Sequence, residues 1–347
     1  MARGLNKNAS TPAATHALNI ARCNNAAADT VKPSVFGGTV LAEIDWSQPW
    51  FTPWRDFGEP TARQALQQQS VAEALNALQE NPRQQTTSKP GTAVERHSAA
   101  KREASAGSGD IASAASVNTT RAGLALGDAK ANPVERTVGT SNEQIKEVTF
   151  VPQSALPEGQ AYEDFIFKTA QVPTRDGLHD FFNALCWLQF PLAKKQLNQL
   201  QATAIRAQGI GASRGPVRDA VTVFDENACL LQVEDDIWDA LDRRDWHAAF
   251  VTHRSRWSSA KAHIFGHAAL EKLVAPYKAI TVHMWRVPNE VPASELDAWL
   301  ATDLQAEKLA QKPFLPTPVL GIPGWCTDNA DPAFYLDAQV FRVPKKN

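Results

Sequence analysis

The sequence predicts an α+β fold: a mostly helical single domain with a β-hairpin and a few further strands. Three observations lead there. Stretches with apolar residues at helical spacing outnumber β-like runs. Two of the β-like runs, 217–224 and 229–233, flank Asp225-Glu226-Asn227-Ala228, which has the composition of a four-residue hairpin loop. Residues able to build a core are unevenly spread: no Phe, Trp or Tyr occurs between 58 and 149, and seven of the ten tryptophans lie beyond 146.

That distribution sets the domain organisation. Residues 1–32 are rich in Ala, Asn and Thr and read as a disordered tail. Residues 33–81 hold an aromatic segment and a helix expected to dock on the main body. Within it, Trp46, Trp50, Phe51, Trp54 and Phe57 crowd a stretch punctuated by prolines. Residues 82–145 form a low-complexity insertion, too poor in apolar surface to offset ordering entropy. A long insertion is tolerated because loop closure grows only with the logarithm of length. Residues 146–347 are the main body of the same domain.

Along the chain, Thr61 reads as the cap of a helix over 62–80, with Leu66, Val71, Leu75 and Leu78 roughly on one face. A short strand is expected at 148–151 and a short helix at 162–168. Asp176 is placed to cap a helix running to Phe190, where Pro191 ends it and a second helix starts, reaching about 208. After the 217–233 hairpin come a helix over 236–257 interrupted near 243–245, a helix over 264–274, a strand over 278–287, and a helix over 295–311. A Pro- and Gly-rich tail through Trp325 and Tyr335 follows.

With 43% hydrophobic residues, 21% charged residues and a net charge of −2, the chain of 347 residues is neither fibrous nor wholly disordered. It has no strong nucleic-acid signal, which requires a basic stripe. No run of 18 apolar residues suggests a membrane span, and no apolar run follows the basic start, so a cytoplasmic location is expected. Of Cys23, Cys186, Cys229 and Cys326, no two have CxxC spacing. Cys186 and Cys229 sit in apolar segments and read as inert buried thiols, usage that fits a reducing compartment.

Four strings resemble one family. They are Val172-Pro-Thr-Arg-Asp-Gly-Leu-His-Asp-Phe-Phe-Asn-Ala-Leu185, Phe190-Pro-Leu-Ala-Lys194, Arg214-Gly-Pro-Val-Arg-Asp-Ala-Val-Thr-Val-Phe-Asp-Glu-Asn227, and Phe265-Gly-His-Ala-Ala-Leu-Glu-Lys-Leu273. Together they are similar to an uncharacterised proteobacterial family, domain of unknown function 3025. The resemblance spans about 33–290, interrupted by the insertion, and implies no activity.

Three polar constellations carry candidate chemistry. Asp176, His179, Asp180 and Asn183 follow i, i+3, i+4, i+7 spacing, which sets an imidazole between carboxylates and an amide. The bland alternative is a capped first turn with its acids near the positive end of the helix dipole. Asp225 and Glu226, with Asp219 upstream, place carboxylates at the end of a strand, where catalytic groups often sit. A hairpin loop needs the same residue types. Asp219, read inside a strand, would need a partner if buried, with Arg214 or Arg175 the candidates. His263, His267 and Glu271 would line one helix stripe, with His283 on the next strand as a further ligand for a divalent metal. Against this, His-Ile-Phe-Gly-His lacks the zincin Glu, and the plainer reading of His267 is a hydrogen-bonded core histidine. Gly209-Ile-Gly211-Ala-Ser-Arg-Gly215 follows a helix and lacks the P-loop ending, so it is no phosphate loop.

Two functions fit. One is a non-catalytic binding or structural module, which the sequence alone slightly favours. The alternative is a hydrolase, metal-assisted or not, in which His179, Asp180, Asn183, Asp219, Asp225 and Glu226 act on an ester or phosphodiester, with His267, Glu271 and His283 as metal ligands. The two separate on whether His179, Asp225 and His267 meet in a solvent-reachable cleft, and His179 and His267 are expected to face a common polar pocket with Asp225 or Glu226.

Overall fold

The structure, a computed structural model, describes residues 37–80, 147–208 and 215–344, all within one compact unit. The tail expected at 1–32 and the insertion expected at 82–145 lie outside the described residues. Ten α-helices and six strands, joined by 3-10 turns, make an α+β architecture among these residues.

The aromatic segment is anchored on the body. Trp46, Trp50 and Trp54 are 8%, 1% and 0% exposed. Phe51 stacks flat on Phe182 at 5.7 Å, and Trp54 meets Phe190 edge-on. Helix α1, Arg55–Gln68, starts well before the expected cap. Thr61 is inside it, its hydroxyl donating to the Phe57 carbonyl at 2.6 Å. Pro60 lies inside α1 and lacks the N–H that would donate to the Asp56 carbonyl. Gln69, at φ 55°, ends α1 in the left-handed region. Helix α2, Val71–Glu80, then starts afresh, and Asp176 Oδ1 accepts from the Val71 N–H at 2.9 Å. Asp176 therefore caps α2, whereas Gly177 precedes helix α4, Leu178–Gln189.

Strand β1, Thr149–Pro152, pairs in parallel with β2, Gln171–Thr174, and helix α3, Tyr162–Thr169, makes the crossover. Asn76 of α2 joins this pair as a pseudo-strand. Its amide donates to the Phe150 carbonyl at 2.8 Å and its oxygen accepts from the Phe150 N–H at 2.9 Å. Helix α5, Pro191–Gln208, follows α4 directly. The side chain of Asp297 caps α5, accepting from the Leu192 and Ala193 N–H groups at 3.0 and 2.9 Å.

The expected hairpin at 217–233 is absent. Its first arm is helix α6, Pro216–Asn227, and only the second arm is a strand, β3, Ala228–Gln232. Val217, Ala220, Val221 and Phe224 follow i, i+3, i+4, i+7, so the apolar period was helical. Pro216 at the first helical position agrees. Asp219 lies in the first turn of α6, half exposed and ion-paired to Lys312. It is not the buried strand carboxylate the sequence suggested.

Strand β3 is buried along its whole length at the centre of a four-stranded sheet ordered β4-β3-β5-β6. Here β4 is Lys261–Ile264, β5 is Thr281–Arg286 and β6 is Leu315–Pro318. Pairing is parallel between β3 and β5 and antiparallel at both edges. Helix α7, Asp235–Asp242, ends where Arg244 takes φ 52°, at the interruption expected near 243–245. The helix expected over 264–274 is shorter: α8 is His267–Lys272, capped by Gly266. His263 is thus on β4 and not on a helix with His267. Helices α9, Leu296–Asp303, and α10, Ala306–Ala310, divide the helix expected over 295–311 at Leu304. The tail packs rather than trails: Tyr335 stacks on Phe250 at 5.3 Å and donates from its hydroxyl to the Gly321 carbonyl. Cys186 and Cys229 are free and buried, whereas Cys326 is disulfide-bonded, which a fully reduced set of thiols did not foresee. Among the described residues no helix is long and apolar enough to cross a membrane.

Because Trp50 is 1% exposed within this core, Trp50→Ala should destabilise the fold. A loss of about 3–5 kcal/mol in urea unfolding is expected. A change within error would show that the segment rests on the body without anchoring it.

Candidate functional site

Four helices converge on one polar cluster. Helix α4 brings His179 and Asn183, α5 brings Lys194, α6 brings Asp225 in its last turn, and α8 brings His267 and Glu271. The meeting of α6 and α8 requires Gly266. A Cβ there would lie 2.5 Å from Asn227 Cα, Asn227 N and the Glu226 carbonyl oxygen. The main chain can therefore start α8 directly against the end of α6, and His267, the next residue, faces Asp225.

His179 and His267 touch through their Nε2 atoms at 3.1 Å, with ring planes 82° apart. His179 Nδ1 lies 2.8 Å from Glu271 Oε2. A carboxylate only accepts, so the network assigns a proton to His179 Nδ1. His267 Nδ1 lies 3.8 Å from Asp225 Oδ2, beyond hydrogen-bond range, and has no hydrogen-bond partner. Asp225 Oδ1 instead accepts from Lys194 Nζ at 2.5 Å, and Lys194 Nζ also donates to Asn183 Oδ1 at 2.8 Å. Asn183 Nδ2 in turn donates to the Tyr162 hydroxyl at 3.1 Å. The side chain of Lys194 is only 3% exposed, whereas His179 and Glu271 are 39% and 40% exposed. The cluster thus runs from solvent inward. Its inner end borders a small cavity of about 30 Å³ lined by Tyr162, Asn183, Lys194 and Asp225, room for one or two waters.

The two imidazoles are pushed in opposite directions. The hydrogen bond to Glu271 raises the pKa of His179, against opposing desolvation. Burial lowers His267 to about 4, outweighing the pull of Asp225, while Lys194 and His179 add to the depression. Burial also acts to raise Asp225, yet Lys194 and His267 hold its carboxyl below the ordinary value. Burial, then the nearby Asp180 and Asp225 charges, keep the Tyr162 phenol protonated. The Nε2–Nε2 contact needs one proton between the rings, and the raised pKa of His179 beside the lowered pKa of His267 favours the proton on His179.

The other candidates are placed apart or serve the frame. Asp180 receives a fork from Arg175, Nε and Nη2 each at 2.9 Å, plus the Arg175 main-chain N–H at 2.7 Å. That pairing closes the turn into α4. Glu226 contributes its carbonyl to the Gly266 crossing. Asp219 lies with Lys312, outside the cluster. The proposed stripe of His263, His267 and Glu271 does not exist, because β4 ends at Ile264; the ring of His263 packs between Trp54 and Phe190 instead. His283 packs its ring edge-on to Phe314, and burial with Lys272 and Lys312 lowers its pKa. Among the described residues no three His, Cys, Asp or Glu side chains are placed to hold a metal ion. Lys194 and Tyr162 escaped the sequence reading. A signal existed: Lys194, Asn198 and Gln201 follow i, i+4, i+7 and are all buried, a polar stripe turned inward.

Residues 148–345 match the model of a family described as a protein of unknown function, DUF3025. The match contains all four strings of the resemblance, extends further toward the C-terminus than 290, and leaves out 33–147. No match was found among curated proteins or among solved structures.

Two outcomes follow from this geometry. Gly266→Ala should force α6 and α8 apart and destabilise by about 1–3 kcal/mol in urea unfolding; an unchanged midpoint would mean that the crossing can relax freely. Stability should also fall as pH drops from about 6.5 toward 4. His263 and His267 stay neutral in the fold down to about 4, while the unfolded chain takes up their protons from about 6.5. The raised His179 contributes its stability below its unfolded pKa and does not offset this loss within that window. Urea midpoints at about pH 7 and pH 5 check the sign. His263→Leu should flatten the dependence, and a wild-type midpoint independent of pH would contradict it.

Proposed function

The chain belongs to the family of proteins of unknown function DUF3025, and from the site alone we propose that it is a hydrolase whose acid–base couple is His179 and His267. The observation that carries this is the 3.1 Å Nε2–Nε2 contact between two imidazoles whose pKa values their surroundings push in opposite directions. Paired titratable groups whose environments drive their pKa values apart are the signature of an acid and its base.

In this reading His267, neutral and nearly buried, is the general base, and His179 is the general acid held charged by Glu271. A water and the scissile bond of an ester or phosphodiester enter where the rings now touch. His267 Nε2 takes a proton from the attacking water, and His179 Nε2 gives one to the leaving oxygen. When the products leave, the rings close again and the proton on His267 passes straight to His179, restoring the starting state. Asp225 faces His267 Nδ1 and stabilises the imidazolium that forms there. Lys194 holds Asp225 ionised and in position.

A second reading has its own support. Asp180, Asn183 and Lys194 are each satisfied inside the protein, which suits a cluster that only ties α3, α4, α5 and α6 together. In that case the histidines contribute stability and no chemistry.

Hydrolysis of p-nitrophenyl butyrate and bis(p-nitrophenyl) phosphate separates the two. His179→Gln and His267→Gln should each lower the rate by about 10²-fold or more. The double variant should fall little further, because the two act as one unit. A wild-type rate no higher than buffer on both substrates, or variants as active as wild type, would favour the structural reading.

A further inference from the structure

His179 and His267 share a second property, which depends on the placement of their nitrogens alone. The two Nε2 atoms are 3.1 Å apart. Two nitrogens bound to one zinc-like ion at about 2.1 Å lie about 3 Å apart when the N–metal–N angle is about 100°. The rings also meet obliquely. Their planes are 82° apart and their centroids only 4.6 Å apart, closer than a head-on meeting of the two nitrogens would allow. An oblique meeting lets both lone pairs aim at one point beside the line joining the nitrogens, as two ligands of one ion do.

Two further features point to a cation. The first is the backing of each ring. A metal-bound imidazole offers its other nitrogen to a carboxylate, carbonyl or water, which fixes its tautomer and orientation. Here both second nitrogens face carboxylates. Glu271 Oε2 lies 2.8 Å from His179 Nδ1, and Asp225 Oδ2 lies 3.8 Å from His267 Nδ1, which is buried and has no hydrogen-bond partner. The second is charge. Asp225 and Glu271 bring two negative charges to the cluster and Lys194 one positive charge, while Asp180 and Arg175 cancel in their own pair. A cation between the rings balances the remainder. It has a way in, because His179 is partly exposed.

We propose that His179 Nε2 and His267 Nε2 chelate a divalent transition-metal ion of the zinc, nickel or copper type. Imidazole nitrogen suits these ions, whereas Mg²⁺ and Ca²⁺ take oxygen ligands. Among the described residues no third His, Cys, Asp or Glu side chain completes the set, so water fills the remaining positions and the ion is exchangeable. The ion takes both Nε2 lone pairs, and the proton held between the rings leaves to solvent. It therefore competes with any acid–base use of the pair. The site stands whether or not the pair hydrolyses esters.

Calorimetric titration of the tag-free, chelator-treated full chain with zinc chloride tests it, with magnesium chloride as comparator. One saturable site is expected for Zn²⁺ and none for Mg²⁺. Glu271→Gln should weaken Zn²⁺ about tenfold, through lost orientation of His179, and His179→Gln and His267→Gln should each weaken it further. His247→Gln, at an exposed histidine outside the cluster, should leave it unchanged. A second measurement uses the unaltered chain: in ¹⁵N spectra of its histidine rings, Zn²⁺ should shift the Nε2 signals of His179 and His267 before those of any other histidine. No saturable Zn²⁺ site, equal binding of Mg²⁺, undiminished Zn²⁺ affinity in both His179→Gln and His267→Gln, or shifts confined to other histidines would each overturn the proposal. Neither measurement contains a substrate, so failure here is distinct from failure of the hydrolase reading.

Discussion

The site depends on one buried charge. Lys194 Nζ is almost wholly removed from water, and an ammonium in that position is tolerable only if opposite charge and acceptors surround it. Asp225 and Asn183 provide them. Meeting that requirement fixes three helices at once, because the partners come from α4, α5 and α6. It also keeps a carboxylate ionised beside His267 and leaves that imidazole facing a carboxylate whose other oxygen is already engaged. His267 Nδ1 is thereby left without a hydrogen bond. A pure packing solution would have put apolar side chains at these positions, since a buried ion pair gains little over a hydrophobic replacement. The protein retains the charged arrangement where two imidazoles meet.

From that pair outward, burial does the sorting. His267 sits deep enough for desolvation to dominate, whereas His179 lies at the surface, where its carboxylate partner dominates. Both effects need the Gly266 crossing, which delivers His267 to the inner position and Glu271, one helical turn later, to the outer one. A single short helix of six residues therefore carries both His267 and the carboxylate that pairs with His179.

Much of this was legible in the sequence, and the failures are instructive. The α+β class, the buried tryptophans of the aromatic segment, the break near Arg244 and the convergence of His179 with His267 and Asp225 could be read from residue types and spacing. The hairpin could not, because Val217, Val221 and Val223 suggest a strand while Ala220 and Phe224 complete a helical face. The period decides, and small Ala residues hide it. The metal stripe failed because two residues, Phe265 and Gly266, turn a strand into a helix. Glu271, expected as a metal ligand, instead orients His179. Lys194 was missed because a lysine beside apolar positions reads as surface, and only the fold removes it from water. Asp176 was matched to the nearest helix in sequence, yet it caps one more than a hundred residues away.

The central claim is that two touching imidazoles are held in opposite protonation states. A pH titration of ¹⁵N-labelled histidine side chains by NMR measures this directly, with His179→Gln and His267→Gln giving the assignments. The account predicts that His179 titrates above the ordinary histidine value with its Nδ1 protonated throughout, while His267 stays neutral until about pH 4. Titration of both rings near the ordinary value, or protonation of His267 before His179, would contradict it.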